Sequence, residues 1–145
     1  GYQGAATASG DGGAATASGS CGAATASGDG GAATASGTWG AATASGRWGA
    51  ATASGSWGAA TASGDGSAAT ASGNRGAATA SGYRGAATAS GPEGKVRGKA
   101  GCALFLVERA ATGEILAVWA GIAGRDGIEP DTFYRLVDGK PTAVA

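Results

Sequence analysis

The hexapeptide Ala-Ala-Thr-Ala-Ser-Gly occurs ten times, starting at Ala5, Ala14, Ala23, Ala32, Ala41, Ala50, Ala59, Ala68, Ala77 and Ala86. The spacing is nine residues throughout, without a slip. A fixed period of this kind points to a solenoid, because one unit cannot bury a face alone while stacked units can. A helix is disfavoured, since a pair of glycines returns in every unit and each costs about 1 kcal/mol relative to alanine in a helix. A flexible linker is the competing reading of so much Gly, Ser and Thr. Three alanines held at fixed positions in each unit argue for packing, which a linker does not need.

Two ordered readings remain. In the first, Ala-Ala-Thr-Ala-Ser is a short strand and Gly-x-x-Gly a turn. Two units then make an 18-residue coil, and the array becomes a flattened parallel β-solenoid of about five coils. A tight nine-residue coil is a variant of it. In the second, the glycines bracketing the hexapeptide (Gly4, Gly10, Gly13, Gly19, Gly22) fall on a period of three, which suits a bundle of polyproline-II helices. Collagen is excluded, because Thr7, Thr16 and Thr25 take every third such place. The solenoid ranks first.

The variable pairs favour 18 residues per coil. One edge then carries Asp11, Asp29, Arg47, Asp65 and Tyr83 in a column, with Arg47 relieving the repulsion between acidic neighbours. The other edge carries Tyr2, Ser20, Thr38, Ser56 and Asn74, beside Gln3, Cys21, Trp39, Trp57 and Arg75, so that Trp39 stacks on Trp57. Alternation along the strand turns Ala6 and Ala8 inward and Ala5, Thr7 and Ser9 outward. The core is thin, each buried methyl contributing only about 0.8 kcal/mol.

Residues 1–91 form the array, and 92–145 are a different kind of sequence. The array contains no Leu, Ile, Val or Phe, while the remainder holds every one of them and fourteen of the twenty charges. Pro92 is expected to end the regular ladder. Beyond it, Cys102–Arg109 and Glu114–Ala123 read as strands joined by a turn at 110–113. Phe133–Val137 and the run from Lys140 read as a second hairpin around Asp138-Gly139. Such a small β-domain is marginal alone, and its expected role is to cover the last coil. Cys21 and Cys102 are expected to be unpaired.

Taken with the 101–109 segment and Gly127-Ile-Glu-Pro-Asp-Thr-Phe-Tyr-Arg-Leu-Val-Asp-Gly-Lys, the repeats resemble a group of bacterial and bacteriophage AATASG-repeat proteins. That group joins an array of the motif to a C-terminal Lys/Glu-Pro-Asp-Thr-aromatic-Tyr segment. The resemblance implies a β-rich repeat structure and no chemistry. The Ala-Thr-Ala-Ser-Gly run is also similar to repeats in the heads of trimeric autotransporter adhesins, whose units are longer.

Several functions are narrowed by composition. There is no His or Met, and with two Cys no metal or haem site of usual composition is expected, nor any other cofactor. Ten basic and ten acidic residues cancel, giving no reason to expect a nucleic-acid partner. No apolar run reaches the ~20 residues of a membrane span. Asp11, Asp29 and Asp65 precede glycines as in calcium-binding nonapeptides, but read better as turn residues. Catalysis finds no support: there is no histidine base, Ser and Thr recur uniformly, and Glu108, Glu114, Glu129 and Asp131 read as surface charges.

Three uses stay open. The first is a fibre, stalk or self-assembling filament subunit, extracellular or on a virion. A chain that starts at Gly without a leader reads as a processed product or part of a longer one. An array that opens directly on a repeat suggests head-to-tail docking through the C-terminal segment. The second is ice binding through outward hydroxyl rows: Thr7, Ser9, Thr16, Ser18, Thr25, Ser27, Thr34, Ser36, Thr43, Ser45, Thr52 and Ser54. The third is glycan or subunit contact through Trp39, Trp48, Trp57, Tyr2 and Tyr83, since exposed apolar groups mark interfaces.

Overall fold

The structure is a computed structural model and describes residues 3–144. Each hexapeptide opens with a four-residue strand. These are β1 (Ala5–Ala8), β2 (Ala14–Ala17), β3 (Ala23–Ala26), β4 (Ala32–Ala35), β5 (Ala41–Ala44), β6 (Ala50–Ala53), β7 (Ala59–Ala62), β8 (Ala68–Ala71), β9 (Ala77–Ala80) and β10 (Ala86–Ala89). Odd strands pair in parallel with odd, and even with even, each partner eighteen residues away: Thr7 lies beside Thr25, and Thr16 beside Thr34. The fold is thus an all-β parallel solenoid of about six coils, two nonapeptides to the coil. In-register parallel ladders exclude the polyproline-II bundle, which has no such hydrogen bonds.

Alternation places the second and fourth residues of each strand inside. Ala24, Ala26, Ala42, Ala44 and their equivalents are at most 1% exposed, and the intervening threonines face out. A methyl core lets the backbone stack closely at the turns. A Cβ added at Gly46 would lie 2.2 Å from the carbonyl oxygen of Gly28 in the coil before. No side chain fits there, which is why this glycine recurs.

The ladder does not stop at Pro92. Gly91-Pro92-Glu93-Gly94 is an eleventh turn in phase with the rest, and β11 (Lys95–Gly98) joins β9 in the same register. The expected break fails for a specific reason. The first variable residue of each turn makes no ladder bond through its N–H, so proline there removes nothing, and the Pro92 carbonyl still accepts from Arg75 N at 2.8 Å. The division at 92 is therefore one of composition, and the parallel ladder crosses it.

The sixth coil then changes. β12 (Ala103–Arg109) pairs with β10, but Ala86 meets Ala103, a spacing of seventeen. One residue has been lost from the turn. Val96 now fills the column of Ala78, and Leu104 and Leu106 fill those of Ala87 and Ala89, all buried. Gly98 leaves the room this needs, since a Cβ there would lie 2.8 Å from the Leu104 side chain.

Antiparallel strands finish both sheets, as the hairpins read from the sequence imply. β13 (Ile115–Ile122) closes one sheet against β12. β14 (Phe133–Val137) and β15 (Lys140–Val144) close the other beyond β11. Glu108 ties the two ends together, its carboxylate accepting from Asp138 N and Gly139 N at 2.9 and 2.8 Å. Tyr134 and Leu136 are buried beneath.

Candidate functional site

The turns carry the variable chemistry. Each is closed by a glycine N–H on a glycine carbonyl three residues back, as in Gly13 to Gly10 at 3.0 Å. The second variable residue always has positive φ, whether glycine (Gly12, 70°) or a bulky side chain: Cys21, Trp39, Trp48, Trp57, Arg75, Arg84 and Glu93 lie between 56° and 64°. Its N–H reaches forward to the carbonyl of the next coil, as in Trp48 to Asp65 at 2.9 Å. An L-residue held in this region costs roughly 1–2 kcal/mol, so three tryptophans there are an expense that local folding does not explain.

The columns form as the variable pairs suggested. On one edge Asp11 Oδ1 accepts from Asp29 N at 3.2 Å, and Asp29 Oδ1 from Arg47 N at 3.0 Å. Asp65 does the same for Tyr83 N at 3.3 Å. Aspartate at this position supplies the acceptor that the first turn N–H lacks. The Arg47 guanidinium binds the Asp29 carboxylate at 2.7 Å, and that hydrogen bond holds Asp29 below the usual carboxylate range and raises Arg47. Arg47 thus pairs with Asp29 rather than bridging equally to Asp65.

On the opposite edge Trp39 and Trp57 stack at 5.0 Å between centroids and 9° between planes. The Arg75 guanidinium lies 4.8 Å over the far side of Trp57 and pairs in turn with Glu93. The Arg75 hydrogen bond, with Arg135 nearby, lowers the Glu93 carboxyl. Open clefts of about 440 Å³ flank this ridge, one floored by Ala59 and Ala77 beneath Lys95 and Arg135. No family model matches this chain, and neither a curated protein nor a solved structure does.

The predicted site residues are therefore dispersed. Trp39 and Trp57 share one edge, while Trp48 sits on the other with Tyr83, its ring against Gly66. Tyr2 lies outside the described residues. Both faces of Trp57 are occupied, so the stack offers no run of free aromatic faces. Arg84 lies over Tyr83 at 4.9 Å.

The hydroxyl rows divide between two faces. Thr7, Ser9, Thr25, Ser27, Thr43 and Ser45 line the odd sheet, and Thr16, Ser18, Thr34, Ser36, Thr52 and Ser54 the even one. Within each row neighbours are about 4.8 Å apart.

Among the described residues no three His, Cys, Asp or Glu side chains gather to hold a metal, and no helix is long and apolar enough to cross a membrane. The cysteines are free: Cys21 is exposed and Cys102 buried. Sequence reasoning missed what Cys102 does. It stands where the other coils have the closing glycine, and its Sγ–H donates to Gly82 O at 3.1 Å. Ser67 does the same in its coil, its hydroxyl donating to Gly46 O at 2.9 Å and accepting from Gly49 N. The interrupted glycine column was the available signal.

Proposed function

We propose that the chain is a non-enzymatic structural module, a rigid rod serving as a fibre, stalk or filament subunit outside the cell or on a virion. The supporting observation is the unbroken register. Every coil bonds its backbone to the next along the axis, and no insertion leaves the array to build a site. About six coils at ~4.8 Å give a rod some 30 Å long. The resemblance to phage repeat proteins supports the location. Electron microscopy and light scattering at high concentration test the reading. Fibres or defined oligomers are expected, and a strictly monodisperse monomer overturns assembly.

Ice binding is a second reading, favoured by the two flat in-register threonine faces. Thermal hysteresis and ice shaping in the parent chain, lost when Thr25 and Thr43 become bulky, would support it. Absence of both in the parent ends it.

A further inference from the structure

The bulge in β13 decides what that end of the even sheet shows to the outside. Glu108 faces Ala117 and Arg109 faces Ile115, so Leu116 is the extra residue. A bulge sets two residues opposite one, and here Ile115 and Leu116 come together opposite Arg109, 53% and 59% exposed. Val118, beside Val107, is 71% exposed, and Phe105, in the outward column of Thr88, is 41% exposed. No charge occurs from Ile115 to Ile122.

The corresponding end of the odd sheet is different. Lys95 and Arg97 lie over Phe133 at 4.4 and 4.5 Å, and the edge strand β15 carries Lys140 and Pro141. Lysine and proline blunt an edge against addition. One sheet therefore ends in charge and the other in exposed hydrocarbon, and exposed hydrocarbon on this scale marks an interface.

We propose that the outward face of β12 and β13 docks on the same face of a second copy, with the two solenoid axes parallel. Charge selects the partner and its orientation. Glu114 immediately precedes β13, Arg125 closely follows it, and both are exposed. A two-fold axis along the solenoid reverses strand direction across the contact and lays each Glu114 against the partner subunit's Arg125. An axis along the strands would stack like charges instead, which is unfavourable.

The patch spans two strands, roughly 250 Å² from strand spacing and rise. That is well below the ~800 Å² per partner of a standard interface, so the association is weak and reversible. The contact rests on the structural reading above and adds a lateral partner to it.

Sedimentation velocity of the full chain between about 20 µM and 1 mM should show a reversible dimer of the 13.3 kDa chain. Leu116→Lys with Val118→Lys should weaken it at least tenfold while circular dichroism stays unchanged. Thr43→Lys with Thr61→Lys, on the odd sheet, should leave it intact. Glu114→Arg should weaken it, and adding Arg125→Glu should restore it. A spin label on Cys21, in a Cys102→Ser background, reads the orientation: roughly 20–25 Å between labels for parallel axes, about 40 Å for antiparallel ones.

A monomer throughout, a dimer that survives the double lysine variant, or the longer distance overturns the proposal. End-to-end fibres that persist in the double lysine variant would overturn this contact while leaving the structural function standing. Lateral dimers without fibres would do the reverse to the filament reading.

Discussion

The array and the last coil solve the same problem with opposite means. From β1 to β10 the interior is methyl groups, and stability comes from backbone ladders and from turns stacked so closely that only glycine fits at Gly46. In the sixth coil and its closing strands the interior is Leu104, Leu106, Val96, Tyr134 and Leu136. There, volume replaces proximity, and a residue can be dropped from a turn. The lesson is that strict repetition is required only where backbones touch backbones. Once side chains fill the gap, register, spacing and even strand direction may change.

The sharpest way to break this contrast is Gly46→Ala. The added methyl collides with backbone rather than a flexible side chain. We expect a loss of about 4 kcal/mol or loss of folding, in the exceptional class for a single methyl. A cooperative melt near that of the parent would refute close stacking. Gly49→Ser, in the column where Ser67 already sits, should by contrast be tolerated.

Leu104→Ala comes next, expected to cost about 2–5 kcal/mol in chemical denaturation as a cavity mutation. Its effect should centre on the C-terminal strands, with amide exchange accelerating in β13 and β14 before β3 and β5. Uniform acceleration would mean that the two regions unfold as one.

Trp48→Gly should act in the favourable direction. It removes a left-handed tryptophan, a strain of roughly 1–2 kcal/mol, at the expense of contact with Gly66. A melting temperature raised by a few degrees is expected, and a lower one would show that the ring's contact outweighs the strain.

The smallest effect is electrostatic. Asp29 and Glu93 are held below their usual range by Arg47 and Arg75. A carboxyl lowered on folding stabilises above its unfolded value and loses that contribution as pH falls through its folded one. The parent should therefore lose slightly more melting temperature than Arg47→Gln between pH 5 and about 3. Equal losses would make the exposed pair energetically neutral.

Much of the architecture was legible because the repeat is exact. Pairing alternate turns put Asp29 beside Arg47 and Trp39 beside Trp57, and both contacts are present. The strands beyond residue 100 followed from β-branched runs and Asp138-Gly139. Less legible was the continuation through Lys95–Gly98, because Pro92 was judged by its general dislike of ladders. The turn position that spares it was visible in Gly91 and Gly94. The seventeen-residue spacing and the Leu116 bulge could not be read, since both depend on how large side chains pack. The candidate site fared worst. Trp39, Trp48 and Trp57 fall in consecutive units, yet two edges divide them, because neighbours in sequence are opposites in this coil.

Stacking alternate units also governs how such a chain can change length. A replication slip that removes eighteen residues deletes one whole storey and shortens the rod by ~4.8 Å, leaving every column on its own edge. A slip of nine exchanges the edges for everything downstream. Asp65 would leave the column of Arg47, and Trp57 would leave that of Trp39. Inheritance of repeat number should therefore run in steps of two, with single-unit variants selected against even though the deleted peptide is the same.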